Sequence, residues 1–144
     1  MRVTFDESKC TGCGECNLSC KKSVFGIPWN ETISNCQEKI VEYSEGVFKN
    51  KLPEKRIIFI NFLNYITRYC DCYETKEKPE LGDVGVVVST DPVAIDRASV
   101  DIIKEKYGSD LIKKFWPEIN YNVQLEYAQE IGLGSTKYSL ETIK

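Results

Sequence analysis

The stretch VGVVVSTDPVAIDRASVDIIKEKYG, residues 84–108, decides the fold, because it holds a strand pattern followed at once by a helix pattern. Its first six residues are rich in valine, which predicts a strand. Asp91 suits the N-cap of the helix, and Pro92 suits its first position. An apolar face continues along the helix as far as Gly108, which is expected to end it. A strand that leads directly into a helix is typical of a mixed α/β fold.

The segments before this unit predict one more strand and one more helix. The run RIIFINFL, residues 56–63, is β-branched and aromatic and predicts a buried strand. Residues 31–50 predict a helix, on which apolar side chains recur at steps of three and four. These side chains are expected to form its buried face: Ile33, Cys36, Ile40, Tyr43 and Val47. A long polar loop separates the two predicted strands, and loops of that length usually serve a purpose.

Shorter elements are predicted after the central helix and at the two ends of the chain. Residues 109–116 predict a short helix, and residues 120–134 predict another with Gly132 as its C-cap. Residues 3–5 and 137–143 are expected to form short strands.

The composition narrows the possible classes of function. Of the 144 residues, 42% are hydrophobic and 28% are charged, which is the balance of a globular protein. The net charge of −3 comes from interleaved acids and lysines, so we expect no nucleic-acid partner. No apolar run approaches the ~20 residues of a membrane helix, and the first residues carry no signal-peptide pattern. We therefore expect a cytoplasmic protein with no membrane partner.

Seven cysteines and the absence of histidine direct the search for a site. Without histidine, every Ser-His or Cys-His nucleophile arrangement is excluded. In a reducing compartment, clustered thiols more often bind metal or do redox work than form structural disulfides.

Four of the cysteines form the run CTGCGECNLSC: Cys10, Cys13, Cys16 and Cys20. The spacing C-x2-C-x2-C-x3-C is that of ferredoxin cluster ligands. Thiolates two residues apart on a curled loop each reach a different iron, and Gly12 and Gly14 let backbone N–H groups approach the sulfurs. The run predicts a [4Fe-4S] cluster. Zinc is one alternative, although zinc sites usually pair two C-x2-C knuckles that lie further apart, and free or redox-active thiols are another.

The fourth ligand of this cluster stays open, because in two-cluster ferredoxins the last cysteine of the run binds the other cluster. Cys20 is the local candidate, and Cys70 or Cys72 is the alternative. The latter two flank Asp71 in the long polar loop, where a ligand pair, a redox dithiol and two incidental thiols are all open interpretations. Asp71 itself is a candidate additional ligand. Cys36, on the expected apolar helix face, is interpreted as a buried structural thiol.

The end of the second predicted strand offers a further candidate site. Ser89, Thr90 and Asp91 lie where the strand passes into the helix, a position at which open α/β sheets bind ligands. The simpler interpretation makes Asp91 the helix cap and makes Asp96 and Asp101 solvated or paired carboxylates.

Several longer motifs resemble a known family. They are a CDC loop (70–72) after a strand with Asn61-Phe62, the segment D-x-G-x-x-x-S-x-DPVAID-x-AS-x-D (83–101), and the tail Q-L-x-Y-A-x-x-I-G-L-G-S-x-x-Y (124–138). With the KCTGCGEC run, they are similar to the uncharacterised iron–sulfur-centre proteins, a domain-of-unknown-function family with a ferredoxin-type insert. The chain resembles the C-terminal half of longer members. The resemblance implies a cluster and redox character, with an N-terminal half or a second copy as partner, and it implies no particular reaction.

These observations together predict a fold and a function. The fold is α/β (mixed α+β), a small sheet flanked by helices with an N-terminal ferredoxin-like cysteine loop. Residues 1–30 are expected to form the cluster loop, and residues 31–144 one compact α/β unit. The expected function is electron transfer through one [4Fe-4S] cluster to or from a redox partner protein. The alternatives are a cluster-dependent redox enzyme with its site at the CDC loop and the DPVAID crevice, and a structural zinc module.

Overall fold

The computed structural model describes residues 6–22, 24, 32–48, 51, 57–69 and 77–143. The chain divides into two compact units, Met1–Glu31 and Thr32–Lys144. In the first unit, a 3₁₀ turn at Glu7–Lys9 precedes a short helix, α1, at Glu15–Ser19. The strand predicted at residues 3–5 lies outside the described residues.

The second unit is built on a two-stranded antiparallel sheet. Strand β1 (Phe59–Leu63) pairs with strand β2 (Gly85–Ser89), which confirms both predicted strands with slightly shorter bounds. Side chains alternate across the sheet, as the pleat requires. On β1, Leu63 is buried and Asn61 half-buried on one face, while the alternate residues are exposed on the other.

Helix α3 (Pro92–Tyr107) follows β2 directly and packs on both strands. Its ends are those that the sequence predicts. Asp91 caps the N-terminus by accepting hydrogen bonds from the backbone N–H groups of Val93 and Ala94, each at 2.9 Å. Gly108, with a φ of 82°, ends the helix in the left-handed conformation that favours glycine.

Helix α2 (Ile33–Phe48) has its predicted location, but the prediction of its buried face is wrong. The buried residue is Val41, 4% exposed, and its neighbours on the inward side are half-buried. The predicted face is exposed instead: Ile33, Cys36, Ile40, Tyr43 and Val47. The side of α2 that carries Val41 packs on helix α5 (Asn122–Glu130) instead. The interpretation of Cys36 as a buried structural thiol is therefore also wrong.

Two shorter helices complete the second unit. Helix α4 (Leu111–Phe115) is capped by Asp110, whose carboxylate accepts from the Lys113 N–H at 3.0 Å. Helix α5 (Asn122–Glu130) has Ile131 as its C-cap, and Gly132 follows with a φ of 82°. Gly132 thus takes the predicted left-handed conformation one position after the cap.

The core lies where α2, α3 and α5 meet: Val41, Val93, Leu125, Ala128 and Leu133. Residues 137–143 have no regular secondary structure, so the strand predicted there is wrong. They are exposed, and no third strand pairs with the described part of the sheet. The mixed α/β class with a small sheet is confirmed. Among the described residues, no helix has the length and apolarity needed to cross a bilayer.

Candidate functional site

The cysteine run lies on a tightly curled segment of the first unit. Gly12 and Gly14 both have a φ of 72°. This is the left-handed region, which is unfavourable for any residue that has a Cβ atom. Gly14 is also the N-cap residue of α1. The two glycines therefore turn the backbone twice within the run, so that N–H groups between the cysteines come near the sulfurs.

Backbone N–H groups donate to several of these sulfurs. The Gly12 N–H lies 3.4 Å from Cys10 Sγ, and the Val24 N–H lies 3.5 Å from Cys20 Sγ. A backbone hydrogen bond from Glu15, followed in size by one from the Thr11 side chain, lowers the pKa of the Cys13 thiol. Hydrogen bonds of this kind stabilise the thiolate form, which is the form that binds metal.

Helix α1 relates the last two cysteines of the run to each other. Cys16 lies in its first turn and Cys20 is its C-cap residue, four positions later. Cys10, Cys13 and Cys16 are exposed, and Cys20 is half-buried. Within the part of the chain that the structure describes, no three Cys, Asp or Glu side chains converge closely enough to form a metal site.

The remaining cysteines are placed as follows. Cys36 is exposed on α2 in the second unit. Cys70, Asp71 and Cys72 lie outside the described residues, so the interpretations of the CDC loop stay predictions.

The base of the CDC loop is described and is well anchored. An isolated bridge joins Ile66 to Leu81, and the Glu80 N–H donates to the Ile66 carbonyl at 2.7 Å. The Arg68 guanidinium lies 5.2 Å from the ring centroids of both Tyr69 and Trp116, which are cation–π distances. These contacts hold the residues that flank the loop against α4.

The crevice at the end of β2 is occupied by the cap of α3. One carboxylate oxygen of Asp91 accepts from the first turn of the helix, and the other accepts from the Ser135 N–H at 2.9 Å. The Ser89 hydroxyl accepts from the Asp91 N–H at 3.0 Å. The carboxylate is thus engaged on both sides, which confirms its role as a cap.

A polar cluster that sequence reasoning missed lies between β1 and α3. The Asn61 amide donates to Asp96 Oδ1 at 2.9 Å and to Ser99 Oγ at 3.1 Å. Ser99 is 6% exposed and donates to the Ile95 carbonyl at 2.7 Å. An amide at an inward position of an apolar strand was the signal available in the sequence. Asp96 is paired as expected, and Asp101 pairs with Arg97 at 3.1 Å.

A cavity of about 250 Å³ opens beside this cluster, between α2, β1, α3 and α5. Its polar lining residues are Ser44, Asn61, Asp96 and Gln124, and the rest of its wall is apolar. Among the described lining residues there is one carboxylate and no basic side chain, so the cavity favours neutral or cationic groups over anions.

Comparison with known proteins places the chain in a family. A family model described as a domain of unknown function, DUF362, matches residues 6–101. The match includes the cysteine run, both strands of the sheet and the first part of α3. No curated protein and no solved structure matches the chain. Because the family model covers more than half of the sequence, the chain belongs to the DUF362 family.

Proposed function

We propose that this protein binds one [4Fe-4S] cluster through Cys10, Cys13, Cys16 and Cys20 and uses it to transfer single electrons to or from a partner protein. The observation that carries the proposal is the set of backbone N–H groups directed at the sulfurs of a run with ferredoxin spacing. The donor set fits the group, because iron–sulfur clusters are held by cysteine thiolates and tuned by N–H···S hydrogen bonds.

The residues of the run have separate parts in this proposal. The four thiolates would hold the irons, while the Gly12 and Val24 N–H groups offset negative charge on the sulfurs of Cys10 and Cys20. When bound, the cluster supplies one-electron redox chemistry at a potential set by hydrogen bonding and burial. The exposed thiols of the run suit contact with a partner, since electron transfer between proteins needs close approach.

The thiols of the run do not converge in the described structure. This arrangement is compatible with cluster binding, for a reason that lies in the charge of the ligands. Thiolates repel one another until a metal neutralises them, and metal binding is coupled to the folding of the residues that provide the ligands. We therefore expect the sulfurs to come together only when the cluster binds.

Direct analysis of the metal tests the proposal against zinc. The chain is purified without oxygen, and iron, acid-labile sulfide and zinc are measured per chain, with an EPR spectrum after dithionite reduction. We expect about four iron and four sulfide per chain and the signal of a reduced cluster. One zinc without sulfide would instead assign the run to a structural zinc module, and would contradict the redox proposal.

A matched pair of variants locates the ligands. Cys16→Ser removes one thiolate of the central trio, so we expect the iron content and the visible absorption to fall to near background. Cys36→Ser makes the same chemical change at an exposed thiol of the second unit, and we expect it to leave both quantities unchanged. Equal effects of the two substitutions would show that the cluster is not held as proposed.

The same measurement decides the fourth ligand. Cys20→Ser is compared with Cys70→Ser and Cys72→Ser, again by iron and sulfide per chain. We expect only the substitution of Cys20 to reduce the cluster content, because Cys20 directly follows α1 and lies in the same compact unit as the other three cysteines of the run. Loss of the cluster on substitution of Cys70 or Cys72 would transfer the fourth position to the CDC loop.

A further inference from the structure

One face of the sheet is apolar, uncharged and exposed. Helix α3 covers the inner face of β1 and β2. The opposite face carries five large apolar side chains, each more than half exposed: Ile58, Ile60, Phe62, Val86 and Val88. We call these five residues the outer sheet face. Ile60 lies directly opposite Val88, and Phe62 directly opposite Val86, so the side chains form one continuous surface.

An apolar surface of this kind is unusual on a protein that acts alone. Strands that are buried on both sides have nearly continuous apolar sequences, whereas half-exposed strands alternate with polar residues. The runs IIFINFL and VGVVVS are nearly continuous apolar sequences, like those of strands that are buried on both sides. The sequence therefore indicates a second layer on the outer sheet face.

We infer that the outer sheet face is covered by the same face of a second copy of this chain, so that two sheets stack in a symmetric dimer. In such a dimer each residue near the axis meets its own counterpart, and a charged face would repel itself. From Ile58 to Asn64 and from Val86 to Thr90, the positions on the outer side of the two strands hold no charged residue.

The size of the surface agrees with a second copy. Complete burial of the exposed parts of these five side chains removes about 500 Å² per chain, or about 1,000 Å² for two chains, which is the minimum for a specific protein interface. Stacking of the faces buries this surface in both chains. Pairing at the strand edges would extend the sheet and leave the apolar side chains in water.

Sedimentation equilibrium of the full chain tests the inference, which does not depend on the proposed cluster. We expect the mass to approach twice the 16.5 kDa of one chain as the concentration rises. In the proposed dimer, Val88→Lys places a positive charge on each of the two facing surfaces. The two charges repel each other, so the dissociation constant of the dimer should rise by about tenfold or more. The matched control is Val47→Lys on α2, where valine is also exposed (49%, against 61% for Val88), and it should leave the dissociation constant unchanged.

A second variant guards against a loss of folding in the strand. Ile60→Thr with Val88→Thr keeps β-branched residues in both strands but removes apolar surface, and the far-UV circular dichroism should stay that of the wild type. We expect this variant to be more monomeric than the wild type. A wild-type chain that stays monomeric at every concentration overturns the inference and assigns the outer sheet face to a different partner. If the wild type is a dimer and neither variant weakens it, the two chains contact each other at a different surface, and the inference is also overturned.

Discussion

Among the glycines that the structure describes, Gly134 has the least room for a side chain. A Cβ atom added there would lie 2.7 Å from Asp91 Cγ and closer still to one of the carboxylate oxygens. That carboxylate holds the first turn of α3 and the N–H of Ser135, so it has little freedom to move. The chain after α5 thus approaches the start of α3 so closely that only glycine fits.

We expect Gly134→Ala to destabilise the protein by about 1–3 kcal/mol, because the methyl group displaces a cap that serves two segments. The measurement is the free energy of unfolding in urea. Gly46→Ala is the matched control, since Gly46 lies inside α2 with no atom within 4 Å of the new Cβ. Alanine is the better helix former, so this control should stabilise the protein by about 0.5–1 kcal/mol. The explanation would be contradicted if the two substitutions changed the free energy of unfolding in the same direction.

At the scale of the element, α2 is held by contacts that its own sequence does not specify. Val41 packs into the core with α5, and the Tyr127 hydroxyl of α5 donates to the Glu42 carboxylate at 3.1 Å. One turn before Val41, the side-chain oxygen of Gln37 is buried and has no hydrogen-bond partner. A buried acceptor of this kind costs free energy.

We expect Gln37→Leu to stabilise the protein by about 1 kcal/mol, because it removes the unsatisfied oxygen from the interface. Gln129→Leu makes the same change on α5, where the amide oxygen accepts from both the N–H and the hydroxyl of Thr136 at 2.8 Å. That substitution should destabilise the protein by about 1 kcal/mol. Urea unfolding should show changes of opposite sign in the free energy of unfolding of the two variants. A Gln129→Leu variant that is more stable than the wild type would contradict the assigned hydrogen bonds of Gln129.

The elements also show which parts of the fold are predictable from sequence. The bounds of α3 are predictable because Asp91, Pro92 and Gly108 act through local backbone geometry. The buried face of α2 is not, because Val41 and Ile40 are equally apolar and only the position of α5 decides which of them is covered. The cluster around Asn61 is missed for the same reason, since its partners lie 35 and 38 positions away.

For the whole molecule, the four proposed cluster ligands and the core belong to different units. The core residues run from Val41 to Leu133, all within Thr32–Lys144, whereas the cysteine run lies within Met1–Glu31. Within the second unit, α2 packs on α5, α5 packs on α3, and α3 packs on both strands of the sheet. The stability of the second unit should therefore not depend on what the thiols bind.

The decisive variant carries Cys10→Ser, Cys13→Ser and Cys16→Ser together, which removes the proposed cluster and leaves the core sequence intact. We expect its cooperative urea unfolding, followed by far-UV circular dichroism, to match that of the wild type within about 0.5 kcal/mol, the usual range for surface substitutions. Hydrogen exchange at the amides of α3 and α5 should be equally slow in both proteins, because these helices keep their packing. A variant that loses helical signal or unfolds without cooperativity would show instead that the metal site stabilises the core, as it does in domains that fold only around their metal.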